Sequence, residues 1–263
     1  MGKSDDALTK LPKVVECSDH ITISAFHFLT SCPLTDFIHL SQQLLLAARM
    51  EQPHEAYAQE MAASDQASLA AALPNDAARK AFWLNVYNAF TQLILRNQPS
   101  LYQNRRRFYA LRQIHVAGEW LSLNDVEHGL LRRSRHMLGF GYFNHWPVDS
   151  FEKAHRVERR DARIHFALNC GASSCPPIRF YQPTRIDEQL DMATQSYLAE
   201  MTDYREGANE IWIPKLFLWF RGDFGGRKGI LAMLRQYGQL PEHANPQIRY
   251  TTYDWSMQLN QFR

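Results

Sequence analysis

Between Arg163 and Pro177 the chain reads Arg-Ile-His-Phe-Ala-Leu-Asn-Cys-Gly-Ala-Ser-Ser-Cys-Pro-Pro, which sets one histidine and two cysteines around a glycine and two serines. A thiol becomes a nucleophile when its thiolate is favoured, by an imidazole, a cation, or backbone N–H groups at a helix start. Cys175 precedes Pro176, and proline disfavours the helical region for the residue before it while suiting the first helical position. Cys175 is therefore placed to cap a short turn, where N–H groups lower a thiol's pKa. Read as a buried strand, the run sends Ile164, Phe166, Leu168 and Cys170 to one face, with His165 and Asn169 on the other. Cys170 then continues the apolar face, whereas the loop lets Cys175 turn back toward a histidine.

The chemistry this suits is attack on an acyl or amide carbon, as in a cysteine-dependent hydrolase or acyltransferase with papain- or transglutaminase-like site logic. Cys175, or Cys170, is the nucleophile and His165 or His128 the base. Glu127, Asn88 or Asp254 is the third group that orients the imidazole. Backbone N–H groups of Gly171, Ala172, Ser173 and Ser174 are candidates for holding the oxyanion. Cys170 and Cys175 are also close enough in sequence for a disulfide, which makes a thiol redox sensor an alternative. A metal site is not expected: no second Cys/His pair stands at zinc spacing, and the deaminase pattern is missing. A Walker loop, a dinucleotide glycine fingerprint, a Gly-x-Ser-x-Gly elbow and a His-Glu-x-x-His pair are also missing, so no cofactor is expected.

Two further groups of polar residues need an account. Glu127 has leucines four residues before and after it, so it borders the apolar stripe of Leu123, Val126 and Leu130. A carboxylate there is desolvated unless paired, which raises its pKa. His128 points away from that stripe and suits a surface or network role. On a helix from Asn75 to Asn97, Phe82, Trp83, Val86, Phe90, Leu93 and Ile94 fill one broad face, with Leu84 and Leu95 nearly opposite. Asn85, Asn88 and Gln92 fall between them and must find hydrogen-bond partners if the helix is buried. With Asn124 and Asn169 they form a candidate buried polar network. The rival to the enzyme reading follows from this: a non-enzymatic binding or scaffold domain whose amides fix the fold.

The elements that would position these residues are mostly helical. Leu34 to Met50 reads as an amphipathic helix, Pro53 to Leu73 as a second, and Asn75 to Asn97 as a third. Ile114 to Leu121 reads as a hairpin turning at Gly118. Ser122 then starts a helix to about Arg133, with Asp125 as the acid three residues on. Ile186 to Met201 is a helix, Glu210 to Ile213 a strand, Arg227 to Tyr237 a helix, and Ile248 to Trp255 a last strand. Scattered strands among more numerous helices define a mostly helical α+β domain with a small sheet. Residues 34–263 are expected to form that domain, preceded by a partly flexible extension over 1–33.

Several blocks, in order, resemble one known family, the domain of unknown function 547. They are Ala81-Phe-Trp-Leu-Asn-Val-Tyr-Asn-Ala89, Leu121-Ser-Leu-Asn-Asp-Val-Glu-His-Gly-Leu-Leu-Arg132 and the Arg163–Pro177 run. Ile213-Pro-Lys-Leu-Phe, Asp223-Phe-Gly and Tyr253-Asp-Trp-Ser256 complete the set over about 75–260. One departure is Ser256-Met-Gln-Leu-Asn260, where the family runs Ser-Leu-Asn directly. The resemblance implies a shared fold and shared site residues, with no agreed reaction. Some members are joined to glutaredoxin or DEP domains, and the glutaredoxin fusions imply a link to thiol chemistry by analogy.

The 263 residues carry a formal charge of +2 and an ordinary apolar content, enough for a substantial core. Basic residues concentrate between Arg96 and Arg163, with runs at Arg105-Arg106-Arg107 and Arg156 to Arg163. A solvated basic face is the plain account, and an unidentified small-molecule or peptide ligand, anionic in character, is the partner it favours. No nucleic-acid signature accompanies it, so nucleic acid is not expected as a partner. No run reaches the roughly 18 apolar residues of a membrane span. The beginning of the chain has no secretion-signal pattern, so a cytoplasmic location is expected, with the four cysteines (Cys17, Cys32, Cys170, Cys175) mostly reduced.

Overall fold

Side-chain caps set where the helices begin. The computed structural model describes residues 35–263; Leu34, the 1–33 extension, Cys17 and Cys32 lie outside the described residues. Asp36 accepts the His39 N–H at 2.9 Å and starts α1, Phe37–Met50. Two helices, α2 (Glu55–Ala63) and α3 (Gln66–Ala72), replace the single one expected over 53–73. The break falls at Ser64-Asp65, where the Asp65 carboxylate accepts the Ser68 N–H at 2.7 Å and caps a new helix. Asn75 caps α4, Asp76–Asn97, in which every residue from Lys80 to Leu95 is buried. A tight 3-10 turn, Pro99–Asn104, leads into α5, Arg105–Ala110.

The hairpin forms as expected: β1 (Ile114–Val116) pairs antiparallel with β2 (Glu119–Leu121). Its turn residues Ala117 and Gly118 have φ of 50° and 76°, the left-handed pair that matches strand twist. Ser122 and Asp125 then cap one another reciprocally: Ser122 N–H donates to Asp125 Oδ2 at 2.8 Å, and Asp125 N–H to Ser122 Oγ at 3.1 Å. The helix they start widens into a π-helix over Asp125–Leu131, and Arg132 N–H reaches back to Glu127 O. After α6 (Ser150–His155), residues Ala162–Phe166 form a 3-10 helix where a strand over 163–170 was expected. A short apolar run bounded by turn signals fits either, and Asp161, whose side chain accepts the Arg163 N–H, caps a helical turn instead.

The remainder is α7 (Ile186–Met201), β3 (Asp203–Arg205), β4 (Glu210–Ile213), α8 (Leu216–Trp219), α9 (Gly226–Gln236) and β5 (Gln247–Tyr250). The sheet order is β3-β4-β5, antiparallel on one side of β4 and parallel on the other, with Trp212 opposite Arg249. The last strand stops at Tyr250, short of the expected Trp255. The whole is a mostly helical α+β arrangement with small sheets. One apolar cluster gathers α1–α4, the hairpin and the π-helix; a second gathers α7, α8, α9 and β4. No described helix is long and apolar enough to cross a membrane.

Candidate active site

A cavity of about 450 Å³ opens between the two apolar clusters, and its walls bring together residues far apart in sequence. The π-helix contributes Glu127 and His128, and the residue before it Asn124. The 3-10 turn contributes His165, and the chain beyond it Cys170. Trp219, Phe220 and Tyr253 close the opposite wall. The helical turn matters here. In a regular strand His165 and Cys170 would face opposite ways, whereas in the observed conformation both line the same cavity.

His165 is nearly fully buried and held on three sides. Its ring stacks on Phe220 with centroids 4.0 Å apart, and Phe224 lies beside it. Its Nε2 is 2.9 Å from Asp223 Oδ2, a carboxylate that also accepts from Arg132 Nε at 2.6 Å. Nε2 therefore carries the proton, and Nδ1, which has no hydrogen-bond partner among the described residues, is the basic nitrogen. Burial lowers the His165 pKa, against the opposing pull of Asp223. Asp223 sits at about 2: its burial is outweighed by the bond to His165 and by Arg132. Neutral imidazole beside an ionised carboxylate is the resting state of a general base.

His128 behaves differently. Its Nδ1 lies 2.8 Å from Arg132 Nη1, which can only donate, so the His128 lone pair is occupied and its Nε2 bears the hydrogen. Burial and the Arg132 charge push its pKa down to about 3. His128 is thus a neutral donor over the physiological range, and the expected role as a base falls to His165. Glu127 is raised by burial, with Arg132 and His165 opposing, and Tyr87 OH donates to its Oε2 at 3.3 Å.

The thiols form a pair. Cys170 and Cys175 are joined as a disulfide, where mostly reduced cysteines were expected. The reason is local. Asn169 accepts the Gly171 N–H on Oδ1 and donates from Nδ2 to Pro176 O, and Gly171 turns at φ 83°. This curls the loop until the two Cα atoms are 6.2 Å apart, within disulfide reach. Cys170 lines the cavity. Cys175, preferred as nucleophile on the sequence, is buried behind it in the second apolar cluster, and its sulfur accepts the Cys170 N–H at 3.0 Å. Tyr253 OH lies 3.3 Å from both sulfurs.

Other expected roles do not fit their surroundings. The N–H groups of Gly171, Ser173 and Ser174 already donate to Asn169 Oδ1, Ser256 O and Asp254 O, and Cys175 N–H donates to Ala172 O. A loop bonded in this way has few donors left for an oxyanion. Asp254 is exposed, accepts the Ser256 N–H, and meets no histidine among the described residues. Asn88 orients backbone instead of imidazole: its Nδ2 donates to Ala167 O at 3.0 Å and its Oδ1 accepts Asn169 N–H at 2.8 Å. Asn85 clasps Tyr181 in the same way, through both its N–H and its C=O, and Gln92 Oε1 accepts the Asn260 N–H. Asp223, Arg132 and Tyr253 went unassigned on the sequence. Their one signal was membership in the Asp223-Phe-Gly, Leu121–Arg132 and Tyr253–Ser256 blocks.

Among the described residues no group of three or more His, Cys, Asp or Glu is arranged to hold a metal ion. Fold and site together define a class: a helical α+β domain with a buried His–Asp pair and a cysteine pair of which one member, Cys170, lines the same cavity as the histidine. Residues 71–198 match the family described as Protein of unknown function, DUF547. The match ends before Asp223 and Tyr253, so these two come from outside the matched segment. No curated protein and no solved structure matches the chain.

Proposed function

We propose that the domain is a cysteine-dependent hydrolase or acyltransferase in which Cys170 is the nucleophile, His165 the base and Asp223 the group that orients it. One observation carries the reading: His165 and Cys170 line a single cavity while Asp223 holds the far nitrogen of the imidazole. An external dithiol first reduces the Cys170–Cys175 bond and becomes a disulfide itself, leaving two thiols. The Cys170 proton passes to His165 Nδ1 and the thiolate attacks the acyl carbon. The leaving alcohol or amine departs with the proton from the imidazolium, and a thioester remains. Water, or an acceptor alcohol or amine, then gives its proton to Nδ1 and displaces the acyl group, restoring the thiol. The neutral His128 is a candidate donor to the oxyanion through Nε2–H.

A second reading, a thiol redox sensor, is favoured by the disulfide itself, one sulfur at the cavity and the other behind it. One experiment separates the two. The reduced protein is incubated with p-nitrophenyl butyrate and followed by intact and peptide mass spectrometry. We expect a butyryl adduct on Cys170 that turns over, is abolished in Cys170→Ala, survives in Cys175→Ala and forms roughly a hundredfold or more slower in His165→Ala. No adduct, an adduct on Cys175, or equal rates without His165 would leave redox sensing as the better account.

A further inference from the structure

Between the π-helix and α6 the chain makes an excursion whose apolar side chains face outward. Leu138 is 72% exposed, Phe143 70% and Trp146 90%, with Phe140 and Tyr142 also more than half exposed. So dense a cluster of exposed apolar residues marks a contact surface. The segment is well tied down. His136 N–H donates to Phe143 O, Arg135 bonds Tyr142 O and Asn144 Oδ1, His145 N–H donates to Ser134 O, and Gly222 N–H donates to Phe140 O. Gly141 is packed so closely that a Cβ would lie 2.6 Å from the Asp223 nitrogen. The backbone is fixed, and it holds the aromatic side chains out in water.

Charge along the excursion itself has one sign, and the exposed acid that follows it, Asp149, accepts the Glu152 N–H at 2.7 Å. From Arg132 to Pro147 there is no Asp or Glu. Arg133 is exposed beside the excursion, and Arg221 is exposed next to the Gly222 that anchors it. Arg135 and Arg160 lie 3.9 and 3.7 Å from Asp223 Oδ1, but Arg132 already pairs with that carboxylate. Three guanidinium groups thus share one carboxylate, and the face remains positive. Glu152, below it, is buried against Ser134 and His145. Met137, Leu138 and Phe140 also line the apolar cavity, so its mouth lies on this face.

Exposed Trp, Tyr, Phe and Leu on a basic ground fit one surface chemistry in particular, the boundary between anionic headgroups and acyl chains. We propose that this face docks on an anionic lipid bilayer, with Leu138, Phe140, Phe143 and Trp146 entering the headgroup boundary and Arg133, Arg160 and Arg221 meeting phosphates. The inference stands apart from the thiol chemistry, since neither cysteine takes part in it.

Co-sedimentation of the full chain with vesicles tests it, using pure phosphatidylcholine against an equal mixture of phosphatidylcholine and phosphatidylglycerol. Binding is expected to the mixture, stronger by roughly tenfold or more than to phosphatidylcholine alone, and to weaken as salt is raised. Phe143→Ser with Trp146→Ser removes two exposed anchors without touching the core, and Arg133→Glu reverses one flanking charge. Each is expected to weaken binding by roughly tenfold or more, with an unchanged thermal melt. Binding to neither vesicle, or binding indifferent to both substitutions, overturns the proposal. So does a concentration-dependent dimer that the double substitution dissolves while vesicles stay unbound, which would assign the face to a second copy of the chain.

Discussion

Two regions of the molecule bury polar side chains, and they do it in opposite ways. Along α4, both ends of Asn85 and Asn88 are occupied by backbone: Tyr181 for the first, Ala167 and Asn169 for the second. Around the cavity, by contrast, polar atoms are held at one end and open at the other. His165 is fixed through Nε2 and open at Nδ1; His128 is fixed through Nδ1 and open at Nε2. A fully satisfied amide fixes the fold, because removing it leaves backbone groups without partners. A side chain fixed at one end is oriented toward something the fold does not supply. Burial alone separates nothing here, nor does a bare count of unused atoms: Gln92 on α4 accepts the Asn260 N–H on Oε1 and leaves Nε2 without a partner among the described residues. The two histidines differ in that their rings line the cavity.

The largest effect should come from Asp223→Asn. The amide oxygen still accepts from Arg132 Nε and His165 Nε2, which share Oδ2, but the negative charge that stabilises the imidazolium is lost. Acylation of Cys170 by the butyryl ester is expected to fall by about 10²–10⁴-fold, the range that a general base contributes. A rate unchanged within a few-fold would put His165 in the structural class with Asn85. Next in size is Asn85→Ala, the opposite test. It strips the Asn85 acceptor from Tyr181 N–H in a fully buried site, while Tyr181 C=O keeps Gln42 Nε2 at 3.1 Å. A stability loss of about 2–4 kcal/mol in chemical denaturation is expected, with Cys170 acylation unaffected. Loss of acylation at full stability would erase the distinction between the two regions.

Acid should weaken the cavity wall before it touches α4. His128 and His165 both have pKa values lowered by burial, so their folded forms stay neutral below the pH at which unfolded histidine protonates. The unfolded state then binds more protons, and stability falls as pH drops below about 6.5. For His128 the loss continues to about 3. At about pH 5.5 His128 costs about 1.4 kcal/mol. Asp223, lowered to about 2, adds the same sign over a more acidic window, from the ordinary carboxylate range down to its folded value. Glu127 opposes them: its raised pKa means stability is lost as pH climbs from the unfolded value through the folded one. Melting temperature against pH should therefore be shallower in His128→Gln between about 6.5 and 3. An identical slope would show that His128 is not held neutral in the fold.

The uneven legibility of the sequence has the same cause as this contrast. Helix α7 over Ile186–Met201, strand β4 over Glu210–Ile213 and the hairpin at Gly118 are local patterns, and the structure has them where the periodicity and turn residues place them. The 3-10 turn at Ala162–Phe166 was misread because five apolar and polar residues alternate equally well in a strand. The π-helix was hidden because its capping pair, Ser122 and Asp125, is the same one that starts an α-helix. Cys170, His165, His128 and Glu127 were visible as candidates from residue type and spacing. Asp223 was not, since its bond to His165 spans 58 positions and its bond to Arg132 spans 91. No local pattern encodes such a meeting.

Asp254 is the sharpest small test, because on sequence it ranked with Glu127 and Asn88 as an orienting group. Its carboxylate accepts the Ser256 N–H at 2.8 Å, and its other contacts are backbone: N–H to Ser174 Oγ, and C=O from Ser174 N–H. Those backbone bonds survive truncation of the side chain. The Ser174 loop should therefore keep its shape in Asp254→Ala, with Cys170 acylation and the melting temperature indistinguishable from the parent. A fall in acylation comparable with Asp223→Asn would mean that the carboxylate next to Tyr253 acts on the sulfur through that tyrosine's hydroxyl, 3.3 Å from both thiol positions. The orienting role would then have to be divided between Asp223 and Asp254, and Asp223 alone would no longer define the open-ended class.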